Sequence, residues 1–97
     1  MDTEVDMNRE LCLDGNAVAG MMQEIFGEEM TANPSKCATC GNVGMLGSLM
    51  AYTQAPGIVL RCPICGEVVL RMVVTPREIY LDARGAVYFR MKRDLER

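Results

Sequence analysis

Five cysteines and no histidine stand in this 97-residue sequence, and four of the cysteines fall into two identical patterns. Cys37-Ala38-Thr39-Cys40 and Cys62-Pro63-Ile64-Cys65 are each followed at once by a glycine, Gly41 and Gly66. A CxxC pair bends the backbone into a knuckle that aims both sulfurs the same way. A second knuckle brought up from a neighbouring hairpin then completes a tetrahedron of thiolates around a metal ion. Glycine after the second cysteine accepts a left-handed turn without a Cβ clash, and Pro63 pre-sets the approach to the second knuckle. With no histidine to substitute, Cys37, Cys40, Cys62 and Cys65 must supply all four metal ligands.

Such a site is closed. A catalytic zinc keeps one position for water or substrate, whereas a structural zinc takes four protein ligands. Four thiolates carry more negative charge than the ion neutralises, which suits a folding staple and not a Lewis acid. The expected cofactor is therefore one structural Zn2+ per chain. Three other chemistries use the same residues. Disulfides are disfavoured by an acidic N-terminal stretch with no apolar signal segment, which points to a reducing cytoplasm. Four thiolates also suit the iron of a rubredoxin-type electron carrier, or a thiol redox sensor that releases its metal on oxidation. Cys12, outside both knuckles, reads as a buried free thiol.

The elements that must position these sulfurs belong to one small domain. Apolar residues make up 49% of the chain but aromatics only 5%, so a core poor in large rings gains from a metal staple. A structural zinc contributes on the order of 10–16 kcal/mol of apparent folding free energy, comparable to the net stability of a domain. No run is long and apolar enough to span a bilayer, so no membrane association is expected. Charge is uneven: residues 1–60 carry two basic and eight acidic side chains, while residues 61–97 carry eight basic and five acidic. Arg61, Arg71, Arg77, Arg84, Arg90, Lys92, Arg93 and Arg97 could line a nucleic-acid surface. Solvated strand edges account for them more simply, because nucleic-acid binders combine a strongly basic domain with aromatic stackers.

Residues 1–12 read as a flexible lead-in, residues 13–91 as a helix plus a four-cysteine ribbon, and residues 92–97 as a charged tail. Asp14 is a good helix N-cap and Gly27 a good C-terminal stop, so a short helix is expected over 15–26. Residues 28–36 link it to the first knuckle. Strands are expected at 45–52, 58–62, 67–75 and 78–82, with turns at 55–57, 76 and 82–85. Residues 86–91 read as a last strand, with a short helix as the alternative. The class is α+β, an N-terminal helix packed with a small antiparallel zinc-ribbon sheet.

Val18, Met21, Met22, Ile25 and Phe26, with Ala17, cover close to half the expected helix, more than docking on one sheet needs. Either the loops fold over the excess, or this helix face meets a protein partner or a second copy of the chain. Nine methionines point the same two ways, as adaptable core filler or as a docking surface.

The knuckles resemble the zinc-ribbon, or rubredoxin-like, class through Cys37-Ala38-Thr39-Cys40-Gly41 and Cys62-Pro63-Ile64-Cys65-Gly66. More closely, the chain resembles a family of short, uncharacterised bacterial zinc-ribbon proteins catalogued as a domain of unknown function. Leu13-Asp14-Gly15-Asn16-Ala17, Phe26-Gly27, Met30-Thr31 and Leu60-Arg61-Cys62-Pro63 carry that likeness, which runs from Leu13 to about Met91. It implies a helix plus a zinc ribbon and no known activity. Against rubredoxins, the segment between the knuckles is short, and tryptophan is absent. Nor do the hairpin tips at 54–57 and 75–77 carry the acidic pair with which some transcription-cleavage ribbons hold a catalytic metal.

No constellation for catalysis is visible. Ser35 and Ser48 are the only serines and neither has a local base, and Glu28-Glu29 are the only adjacent acids. The reading is a zinc-stapled module, not an enzyme, that binds another protein. Its alternatives are a nucleic-acid-binding ribbon and an iron or thiol redox protein.

Overall fold

The computed structural model describes residues 12–53 and 57–93. The chain begins with strand β1, Cys12–Asp14, and then enters a helical segment. Asp14 caps that segment as its sequence suggests, its carboxylate accepting the amide N–H of Asn16 at 3.1 Å. The first turn, Gly15–Val18, is 3-10, and only Ala19–Phe26 is α-helical (α1). Gly27 closes α1 in the left-handed conformation with φ 79°, and its N–H bonds to the carbonyl of Gln23.

Two antiparallel sheets follow where one small ribbon sheet was expected. The larger contains β1, β4 (Met50–Tyr52), β5 (Ile58–Arg61), β6 (Val68–Val74) and β7 (Ile79–Asp82), in the order β1-β4-β5-β6-β7. In the smaller, β2 (Pro34–Cys37) lies between β3 (Val43–Met45) and β8 (Ala86–Phe89). Each sheet thus owns one knuckle. The first joins β2 to β3, and the second joins β5 to β6.

The linker over 28–36 is only partly a linker, because its end is β2. The single strand expected at 45–52 is broken into β3, a 3-10 turn at Leu46–Ser48, and β4. Close packing explains the break. A Cβ on Gly47 would sit 2.5 Å from the Asn16 side-chain oxygen, and one on Gly15 would sit 2.0 Å from the Leu46 carbonyl. The two glycines let the two 3-10 turns touch backbone to backbone, which a continuous strand could not do. Residues 86–89 are a strand, not a helix. The backbone of Cys12 already belongs to β1; its side chain lies outside the described residues, as do residues 1–11, 54–56 and 94–97.

The core lies under the helical segment. Val18, Met22, Met30, Leu46, Leu49, Ala51, Ile58, Leu60, Leu70 and Met72 are buried. Alternation in β5 puts Ile58 and Leu60 inward and leaves Val59 and Arg61 half-buried on the opposite face. Met22, Met30 and Met72 are wholly buried, so these flexible thioethers fill the core of a chain short of aromatics. Phe26 meets Phe89 edge-to-face at 6.1 Å, which ties the helix end to the smaller sheet.

Candidate metal centre

Each knuckle is built by the same three backbone features. The glycine N–H after the second cysteine returns to the carbonyl of the first: Gly41 to Cys37 at 2.9 Å, and Gly66 to Cys62 at 2.8 Å. Both glycines are left-handed, with φ 79° and 81°. The amide of the first cysteine then donates to the residue that leaves the knuckle, Cys37 to Asn42 and Cys62 to Glu67, each at 2.9 Å. A β-carbon at Gly41 or Gly66 would be strained by the backbone conformation itself, which is why the motif is CxxCG.

The four sulfurs of Cys37, Cys40, Cys62 and Cys65 lie within 4.8 Å of one another. Pairs across the knuckles are 3.7 Å apart, Cys37 to Cys65 and Cys40 to Cys62. A tetrahedron with metal–sulfur bonds of about 2.3 Å has edges of about 3.8 Å, so the donors fit a single metal ion. The fit extends to burial. Cys37 and Cys62 are buried and Cys40 and Cys65 exposed, so the first cysteine of each pair faces the protein and the second faces outward.

Electrostatics favour a cation here. The amide of Cys40, helped by that of Thr39, pulls the Cys37 thiol down to about 7. The Glu67 amide acts on Cys65 to lower it, but desolvation and the three neighbouring sulfurs outweigh it and push that thiol up to about 12. Cys40 is likewise raised: the Asn42 amide pulls down, while desolvation and the sulfur of Cys62 push up. One thiolate forms readily and the next are opposed by it. A bound divalent ion converts that mutual repulsion into coordination.

Two residues that spacing did not single out brace the centre. Arg61, just before the second knuckle, donates from Nη1 to the Gly66 carbonyl at 2.9 Å and lies over the Tyr52 ring at 5.6 Å. Gly85 accepts the amide of Ala38, in the first knuckle, at 2.9 Å. The turn over 82–85 was visible in the sequence, but its place between the knuckles was not.

The other expected sites are dispersed. On the helical segment Val18 and Met22 are buried, and Met21, Ile25 and Phe26 are half-buried against the core. None of the five is exposed. Of the basic residues, Arg61, Arg71 and Arg84 border one cleft of about 380 Å3 together with Asp82. There Asp82 bonds Arg84 at 3.1 Å, and Arg84 holds its carboxyl below the usual range. Arg77 lies apart, in the β6–β7 turn. Among the described residues no helix is long and apolar enough to cross a membrane.

Comparison with known proteins names no activity. No curated protein and no solved structure matches the chain. The model of a family of unknown function, DUF6510, matches residues 6–94, which include both knuckles, the helical segment and every strand described above. The chain belongs to that family, the family of unknown function DUF6510.

Proposed function

We propose that this protein is a binding module folded around one structural zinc ion, with no catalytic activity of its own. One observation carries the reading: four cysteine sulfurs, two from each sheet, converge within 4.8 Å. Four thiolates fill a tetrahedral ion completely and leave no position for a substrate. The ion's work is then mechanical, holding the five-stranded sheet to the three-stranded one. Function falls to the surface. Among the described residues, the large apolar side chains that stand exposed are not on the helix but on strands, their flanks and the second knuckle, among them Val43, Met45, Ile64, Ile79, Tyr80 and Leu81. A protein-binding role fits such strand-borne apolar surface better than a nucleic-acid role fits the three arginines around Asp82.

The test is metal analysis of the protein purified from its native source, with an absorption spectrum. One zinc per chain and no visible band is the expected result. A coloured protein holding iron would replace this reading with that of a rubredoxin-like electron carrier, whose two exposed sulfurs at Cys40 and Cys65 would be its outlet. Metal-free protein that is fully folded would remove both.

A further inference from the structure

The five-stranded sheet carries a hollow on the face opposite buried Leu60 and Met72, and the metal centre makes no use of it. Strand register builds it. Val59 pairs with Arg71, and Arg71 with Asp82, so these three side chains share one cross-strand row. Alternation along β6 puts Val69 and Val73 on the same face as Arg71, with Tyr80 opposite Val73. Such a face is ordinarily open to water, yet Val69 is only 1% exposed. The turn over 82–85 explains this. It folds back on β6 so closely that a β-carbon on Gly85 would lie 2.8 Å from the Val69 Cα. What remains has two lobes. Arg61, Arg71, Asp82 and Arg84 border a lobe of about 380 Å3 that Val59 and Val69 also line. Arg71, Asp82 and Arg84 border an adjoining lobe of about 500 Å3, lined further by Val73, Tyr80 and Leu81.

The charges around the hollow do not balance. Three arginines meet one carboxylate, which leaves two positive charges uncompensated in a chain whose net charge is −3. Asp82 is bonded to Arg84 at 3.1 Å, and Arg71 acts on that carboxylate through its charge alone. Among the described residues Arg71 has no hydrogen bond or ion pair. Glu78, which accepts the Tyr80 hydroxyl at 2.5 Å, borders neither lobe. The other two guanidiniums are held in place by bonds of their own, Arg61 through Nη1 to the Gly66 carbonyl and Arg84 through Nε to Asp82. A guanidinium has more N–H donors than these bonds use, so both keep donors for a ligand.

From this hollow we infer that the protein binds a small phosphate monoester with an apolar body, its phosphate among Arg61, Arg71 and Arg84. Charge selects the ligand. A phosphate monoester carries about two negative charges at neutral pH, together with terminal oxygens that accept the forked N–H groups of arginine. That matches the excess around the hollow. A carboxylate or a phosphodiester brings a single charge and answers half of it. The valines and the Tyr80 ring take the organic part. Small-molecule sites have this character, with volumes of about 300–1,000 Å3, mostly apolar linings and a few polar groups that fix orientation. The inference goes beyond the protein-binding reading above and asks nothing of the metal except a folded sheet.

Phenyl phosphate, titrated into the isotope-labelled full chain and followed by amide NMR shifts, tests this directly. The expected result is a Kd of about 1 mM or below, with shifts at Val59, Val69, Arg71 and the 82–85 turn. Benzoate has the ring but one charge, and inorganic phosphate has the charge but no ring. Each should bind about tenfold more weakly. Arg71→Gln should weaken phenyl phosphate by about tenfold or more. Arg77→Gln, which removes a charge in the β6–β7 turn outside the hollow, should change it by less than about twofold. Unshifted spectra at about 20 mM phenyl phosphate overturn the inference. So do benzoate that binds as well as phenyl phosphate, an Arg71→Gln variant that binds like wild type, and equal losses in the two variants. Octathymidylate that binds more tightly than phenyl phosphate overturns it in favour of a nucleic-acid surface. Metal content and unfolding midpoint, measured on the same samples, separate a lost site from a lost fold. Protein that holds iron and still binds phenyl phosphate overturns the zinc reading alone.

Discussion

Gly85 and Val68 touch backbone to backbone: a β-carbon at position 85 would fall 1.9 Å from the Val68 carbonyl oxygen and 2.8 Å from the Val69 Cα. Val68 opens the strand that leaves the second knuckle, and the Gly85 carbonyl holds the amide of Ala38 in the first. The register of β5 with β6 shifts at this point, between Leu60 and Arg61, so Gly85 seats on a bulge in the larger sheet while gripping the smaller one. It is a second junction of the two sheets, besides the cluster of four cysteine sulfurs.

Replacing Gly85 by alanine should therefore force the sheets apart. Overpacking of this kind costs about 1–3 kcal/mol, and here it acts on the spacing of the knuckles. The expected outcome is a lower unfolding midpoint and faster metal loss to a chelator, with all four cysteines intact. A variant that matches wild type in both would show that the metal alone sets the spacing.

Serine at Cys37, Cys40, Cys62 or Cys65 should abolish stoichiometric metal binding and most of the tertiary structure. Metal binding supplies about 10–16 kcal/mol of apparent folding free energy in sites of this type, more than a small domain can lose. Cys12→Ser should leave metal content unchanged. Metal analysis and near-ultraviolet circular dichroism of the five variants check both statements.

Metal affinity should fall as pH falls, with a bend near the Cys37 value of about 7. The sign follows from its lowered value. Above about 7 that thiol is already ionised and gives up no proton on binding; below it, a proton must leave. Proton release on zinc uptake should thus be larger by about one at about pH 6 than at about pH 8. Titration calorimetry in buffers of different ionisation enthalpy measures it, and an unchanged proton count across that range would contradict the assignment.

Arg61→Ala removes a charged donor from the Gly66 carbonyl and a cation from the Tyr52 ring. Because Arg61 is half-buried, a loss of about 1 kcal/mol in stability is expected. Arg61→Lys should recover only part of it, since an ammonium lacks the planar fork that serves carbonyl and ring together. Denaturant unfolding of the metal-loaded variants gives both values.

Local chemistry made much of this molecule legible in its sequence. Gly27, Gly41 and Gly66 all adopt the left-handed backbone that their positions after a helix or a knuckle suggest, because that preference depends on one residue and not on its neighbours. Asp14 caps the helical segment for the same reason. The strands over 58–61, 68–74 and 79–82 follow from alternation and turn residues. The short strands β1 and β2, and the 3-10 turn that divides 43–52, were not legible. Each exists because of a partner distant in the chain, as with Ser35 of β2 opposite both Gly44 and Phe89. The helix shows the same limit. Its broad apolar arc was plain, but whether loops or water covered it depended on Met30, Leu46 and Phe89 arriving from elsewhere.

The sequence by itself singled out the four cysteines that converge and the shape of each knuckle, since a CxxCG turn is closed by hydrogen bonds within six residues, from Cys37 to Asn42 and from Cys62 to Glu67. Only the tertiary structure decided that the knuckles belong to two different sheets, that Gly85 and Arg61 brace them, and that the exposed apolar edge is β7 and not the helix. Those outcomes are set by contacts between residues far apart in the chain, whose geometry no local preference encodes.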